Sequence, residues 1–164
     1  MKNKNHLPFA LVGSLIIIVL AFIQYFAGIS SQNGLFKWLP TLVLAGTIIW
    51  GCINYSKIND ADVTFGEVFG NGFRITAIMT LIAIGFMLLF VTLFPDYKER
   101  LIEESMQAAA SSGRGGSEED TEKAMEMVRK NFMLFMIAGG LFMYLLIGVV
   151  SSLVGAAVAK KKKQ

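Results

Sequence analysis

A chain of 164 residues that is 54% hydrophobic and 16% charged carries more apolar surface than one soluble domain of that length buries, which excludes an ordinary water-soluble globule. The formal net charge of +3 comes with no folded basic face, so nucleic-acid binding is excluded as well. The one cysteine, Cys52, has no intramolecular disulfide partner. It lies in an apolar run, where it reads as filler rather than as a redox or catalytic group.

Four stretches without a charged residue, 7–28, 38–55, 75–94 and 132–159, are 22, 18, 20 and 28 residues long. A hydrocarbon layer about 30 Å thick takes about 20 helical residues, so each is predicted to cross a membrane, the second only just. Lys2 and Lys4 before the first stretch give it the look of a signal peptide. Its apolar run is longer than the roughly 7–15 residues of a signal core, and Gln24, Tyr25 and Phe26 precede the small pair Ala27 and Gly28. An uncleaved first helix is therefore expected. His6, the one histidine, reads as a bystander in the tail before it. The polar turn Ser30-Ser31-Gln32-Asn33-Gly34 makes helices one and two antiparallel neighbours, and Pro40 falls in the first turn of helix two, where a missing N–H costs little.

Between the second and third stretches, Thr64-Phe65-Gly66-Glu67 has the spacing of a capping box, in which hydroxyl and carboxylate satisfy orphan N–H groups at a helix start. At 100° per residue, Phe65, Val68, Phe69, Gly72 and Phe73 then share one face, and Glu67, Asn71 and Arg74 the opposite one. The apolar face is expected at the lipid boundary or against helix two. Glu67, Asn71 and Arg74 form a candidate interaction face at the cytoplasmic mouth of the bundle, for a partner or an anionic group. The plainer reading makes them the wet side of an interfacial helix, with Glu67 occupied in capping.

The connection over 95–131 divides at Ser111-Ser112-Gly113-Arg114-Gly115-Gly116 into two helical halves, a charged hairpin outside the membrane. Its first half puts Tyr97, Leu101, Ile102 and Met106 on one side. Its second half is capped by Ser117, carries Glu118, Glu119 and Asp120 in its first turn, and presents Ala124, Met125, Val128 and Phe132 as one apolar stripe. That helix is expected to run unbroken into the fourth span. In span four, Gly140, Tyr144, Gly148, Ser152 and Ala156 recur every four residues, a candidate helix-packing face that lets two backbones approach closely. It serves either an oligomer or partner interface or packing against the chain's own helices. Lys160, Lys161, Lys162 and Lys163 read as an anchor to anionic headgroups.

The four spans, the segment Thr64-Phe65-Gly66-Glu67-Val68-Phe69-Gly70-Asn71-Gly72-Phe73 and the charged helical loop before span four together resemble an uncharacterised family of four-helix membrane proteins, a domain of unknown function found mostly in Bacteroidetes-type bacteria. The resemblance covers roughly residues 5 to 160. It implies a bacterial inner-membrane location and a four-span topology, and it implies no activity.

Side chains in the spans carry no Asp, Glu, Lys, Arg or His at mid-membrane, which speaks against a proton-coupled carrier. No Ser–His or Cys–His pair, metal-ligand cluster or phosphate loop is present, so no enzyme activity, cofactor or metal is expected. The acidic residues Glu103, Glu104 and Glu118 to Asp120 read as solvated or capping groups rather than a cation site. The basic residues divide almost evenly between the two sides, but those before helix one and after helix four place both termini in the cytoplasm. The expectation is an all-α, polytopic membrane protein with one domain over 1–164, its partners the lipid bilayer and a second copy or another membrane protein. Its expected role is structural or accessory and non-enzymatic, with a small passive pore or transport subunit as the alternative.

Overall fold

The computed structural model describes residues 2–30, 33–111, 123 and 126–162. Its helices are α1 (His6–Phe26), α2 (Gly34–Ile58), α3 (Phe65–Leu93), α4 (Pro95–Ser111) and α5 (Phe132–Val158). Among the described residues α1, α2, α3 and α5 are long and apolar enough to cross a membrane. The chain is thus an all-α, multi-pass membrane protein. The spanning helices alternate in direction, which sets both termini and the α2–α3 turn at one end, the termini end. The α1–α2 turn and α4 lie at the other, the loop end. Helices α2 and α3 each pack against all the other spanning helices, while α1 and α5 flank them without a comparable interface to each other.

Close packing is concentrated at the termini end, where glycines remove the side chains that would hold backbones apart. A Cβ on Gly72 of α3 would come within 2.6 Å of Cys52 Sγ and 2.8 Å of Ser152 Oγ. One on Gly155 of α5 would reach Cys52 Cβ at 2.7 Å, and one on Gly148 would collide with Thr76. On the other side Gly13 of α1 opens room for Met79 and Thr47, both 2.7 Å from where its Cβ would stand. Cys52, fully buried, fills the space between Gly72 and Gly155 and directs its thiol to Val68 O at 3.5 Å. Helices in hydrocarbon gain little from excluding water, so these van der Waals approaches supply the cohesion.

The segment expected to precede span three as an interfacial helix is continuous with it. Helix α3 starts at Phe65 and runs 29 residues, its capping box complete: Glu67 N–H donates to Thr64 Oγ1 at 3.3 Å, and Thr64 N–H to Glu67 Oε2 at 2.8 Å. The turn before it carries Asp60 and Ala61 at φ of 54° and 59°. A left-handed conformation costs an L residue about 1–2 kcal/mol. The C-terminal segment buttresses it, with Lys162 N–H donating to Ala61 O at 2.8 Å and Ser56 Oγ to Lys160 O. The lysine tail is therefore partly pinned to the fold, Lys161 lying 5.2 Å from the Phe65 ring centroid.

Pro95 opens α4, at the position where its missing N–H is harmless. Tyr97 and Ile102 turn inward, as the apolar side read from the sequence requires. The returning chain is helical over 126–130 and meets the base of α4 through an exposed Arg129–Glu99 pair at 3.4 Å, with Lys98 5.6 Å from the Phe132 ring centroid. The predicted cap at Ser117, the acids at 118–120, and Ala124 and Met125 lie outside the described residues. The helix expected to run unbroken into span four is interrupted by one residue: Asn131 adopts φ −111° and ψ 20°, and its side chain donates to Met127 O at 3.0 Å.

Overpacking a tight helix contact costs about 1–3 kcal/mol. Gly148→Val is therefore expected to lower the melting temperature in detergent clearly, whereas Gly46→Ala, whose added Cβ meets nothing within 4 Å, leaves it unchanged.

Candidate functional site

At the termini end three asparagines from three helices meet inside the bundle. Asn5, at the N-cap position of α1, makes no side-chain cap hydrogen bond. Its amide instead donates to Gly51 O at 3.0 Å and to Asn54 Oδ1 at 2.9 Å. Asn71 of α3 donates from Nδ2 to Asn5 Oδ1 at 2.9 Å. Asn5 is 5% exposed and Asn71 fully buried, so this tie is shielded from both lipid and water. Beside it, His6 Nδ1 and Asn71 Oδ1 are buried atoms that no hydrogen bond of normal geometry joins to anything.

The face predicted from Glu67, Asn71 and Arg74 is thereby divided. Asn71 faces the core rather than the wet side. The apolar face takes both expected places, with Phe65 and Phe73 45% and 39% exposed at the boundary and Val68 and Gly72 buried in the bundle, so Asn71 is the one residue on the other side from its assignment. Glu67 and Arg74 stay at the surface. Glu67 is held by its capping role and by Lys2, whose Nζ lies 2.8 Å from Oε2. That hydrogen bond holds the Lys2 ammonium above its ordinary pKa. Lys2, Tyr55, Thr64, Glu67 and Arg74 line a shallow polar recess there, open to solvent.

The predicted packing face of α5 also divides along its length. Gly148, Ser152 and Ala156 are buried and meet α2 and α3 of the same chain. Tyr144 is partly buried against the same core, and a Cβ on Gly140 would touch nothing within 4 Å. What lies in front of Gly140 is a cavity.

That cavity, about 250 Å³, occupies the loop-end half of the bundle. Ile17, Ile18 and Ala21 of α1, Met79, Ala83, Ile84, Phe86 and Met87 of α3, and Met136, Ile137 and Gly140 of α5 form most of its wall. Uncharged polar groups enter from Ser14, Gln24, Tyr97 and Tyr144. Burial keeps the Tyr97 phenol above its ordinary pKa, hence a neutral donor. Toward the termini the cavity is closed by the Gly13–Met79–Thr47 layer. Toward the loop end it is closed by aromatic rings around Phe90, with Phe94, Tyr97, Phe22, Tyr25 and Phe86 at centroid distances of 4.8, 5.0, 5.3, 5.3 and 5.3 Å. Tyr25 fastens this plug to α4 by donating to Asp96 Oδ2 at 2.9 Å. Nothing in the sequence periodicity marks the cavity, because its wall residues are the ordinary apolar ones of a membrane span.

Among the described residues no group of three or more His, Cys, Asp or Glu is placed to hold a metal ion. Loss of the asparagine tie is expected to weaken the fold. Asn71→Ala strands Asn5 Oδ1 and should destabilise by about 1–2 kcal/mol, read as a lower melting temperature in detergent. Lys2→Ala, which removes an exposed partner only, should leave melting unchanged.

Neither the curated proteins nor the solved structures contain a match to this chain. A family model described as "Protein of unknown function (DUF4199)" matches residues 8–161, from the start of α1 to the lysine tail. Four spans, the capped start of α3 and the small-residue face of α5 all fall within that match, and the chain belongs to the DUF4199 family.

Proposed function

We propose that this chain is a non-enzymatic structural or accessory protein of a bacterial inner membrane, both termini cytoplasmic, that works through contacts of its helix faces with another membrane protein or a second copy. The observation that carries this reading is the exposure of α5. Only 6% of its most apolar stretch is buried inside the bundle, against 22–33% for the other spanning helices. Phe135, Phe142, Leu146 and Val150 are 51%, 66%, 48% and 53% exposed, a broad apolar surface on the helix that also contains Gly139, open on its outer side. The orientation is supported by Lys2 and Lys4 before α1 and by Lys160, Lys161 and Lys162 after α5, the basic residues as a whole dividing almost evenly between the two ends.

A pore or transport subunit has one observation in its favour, the cavity. The contacts of Gly148 with Thr76 and of Gly155 with Cys52 close the bundle axis beneath it, so a conducting path would run between copies rather than through one. Proteoliposomes carrying the protein are expected to retain a small encapsulated solute as well as empty ones do. Leakage that rises with protein content would overturn the accessory reading in favour of the pore.

Orientation and partner contact have separate tests. In a Cys52→Ala background, Asn33→Cys and Ser112→Cys are expected to react with an impermeant thiol reagent in intact cells, and Asn59→Cys and Gln164→Cys to stay protected. The reverse pattern would invert the protein. A photoreactive amino acid at Phe142 or Val150 should give a discrete higher-mass protein adduct in native membranes, and adducts to lipid alone would defeat the proposed contact.

A further inference from the structure

We propose that the polar recess at the termini end seats the headgroup of an anionic phospholipid, its phosphodiester on Arg74 and its outer hydroxyls toward Glu67. The recess is lined by Lys2, Tyr55, Thr64, Gly66, Glu67, Gly70 and Arg74. It lies apart from the helix-face contacts proposed above and does not depend on them. Depth, shape and charge point to this occupant. The charge-free stretch 75–94 begins directly after Arg74, and its 20 residues span about 30 Å, the thickness of the hydrocarbon layer. Arg74 therefore stands at the edge of that layer, where the phosphates of a leaflet lie, and the first turns of α3 continue from there toward water. Tyr55 ends the charge-free stretch of α2. Phe73, next to Arg74 and 39% exposed, offers the acyl chains of a lipid an apolar surface that a free anion does not use.

Gly66, Gly70 and Arg74 recur at every fourth residue, one line along α3. A Cβ on either glycine would meet nothing within 4 Å, so bare backbone floors the recess. Glu67 stands about 10 Å outward of Arg74 at 1.5 Å per residue, the direction in which a headgroup extends from its phosphate. Lys2 Nζ, Thr64 N–H and Thr64 Oγ1 all donate to Glu67 Oε2, at 2.8, 2.8 and 3.1 Å. Oε1 is left to accept from a ligand. Lys2 offsets the Glu67 charge, whereas Arg74 is exposed and pairs with no acidic group among the described residues. The lining thus has one positive charge in excess, and a guanidinium meets a phosphodiester through two parallel hydrogen bonds. One negative charge at the phosphate and neutral hydroxyls beyond it complement this order. A terminal ammonium would instead be placed against Lys2.

The full chain is purified in a neutral detergent, and phosphatidylglycerol, phosphatidylcholine, phosphatidylethanolamine or phosphatidylmethanol is titrated in. Bound lipid is counted by native mass spectrometry. Phosphatidylglycerol is expected to be retained about tenfold more tightly than the two zwitterionic lipids, and Arg74→Gln to remove that preference. Lys57→Gln removes the same charge from the same end outside the recess and should change retention less than about twofold. Gly70→Leu fills the floor without meeting a neighbour, so it should lose the preference while melting as the wild type does. Phosphatidylmethanol, equal in charge but without hydroxyls, should bind about fivefold more weakly than phosphatidylglycerol.

Equal losses in Arg74→Gln and Lys57→Gln reveal general attraction to a basic surface and overturn the site. So does retention that survives Gly70→Leu, which carries the comparison alone if Arg74→Gln fails to fold. Equal retention of phosphatidylcholine overturns the charge assignment. Displacement of phosphatidylglycerol by inorganic phosphate at the same concentration identifies a free anion and overturns the lipid as occupant. Phosphatidylmethanol bound as tightly as phosphatidylglycerol overturns the contact given to Glu67.

Discussion

The near-contact of α3 and α5 with α2 between them is the constraint on which the rest of this structure depends. In a bilayer, burying one apolar helix against another removes no water, so cohesion comes from how closely backbones approach and how many atoms then touch. Gly72, Gly148 and Gly155 permit that approach, and Thr76, Ser152 and Cys52 fill the hollows they leave. None of these side chains is large. The termini-end half is consequently dense, and the Asn5 side chain has Asn54 and Asn71 as hydrogen-bond partners within it.

Helices drawn together at one end diverge toward the other unless bulk fills the gap, and here the bulk is uneven. Phenylalanine and tyrosine rings gather around Phe90 at the loop end. Between them and the Met79 layer the helices stand apart around the cavity. Gly140 widens this space where Gly148, two turns further along the same helix, removes it. Two glycines of one stripe have opposite effects because one faces a neighbour and the other faces none.

Much of the architecture was legible because charge is so costly in hydrocarbon. The four charge-free stretches correspond to the four spanning helices, and Thr64 with Glu67 marked the start of α3. Sidedness around the helix axis was less legible. On a soluble helix the polar side faces outward, and that logic assigned Asn71 to the wet face along with Glu67 and Arg74. Phe65 and Phe73 do face out, as an apolar face at the lipid boundary should, but Asn71 faces in. The shift in the environment within α3 falls between Glu67 and Asn71, a single turn, and periodicity has no means of seeing it. Asn5 escaped for a related reason, since an asparagine before a helix reads as a cap, whereas here its partners are 46 to 66 residues away. The cavity had no signature at all, because it is defined by which apolar residues fail to meet.

The asparagine tie also implies an order of assembly. Asn5 is made first, yet Gly51 and Asn54 emerge only with the end of the second helix, and Asn71 later still. A nascent chain inserting in sequence must hold the Asn5 amide at the aqueous edge until those helices arrive. Its pairing then records that the first three helices are together. The glycine face of α5 is made last of all, after Thr76 and Cys52, the side chains it packs against, are already in the chain.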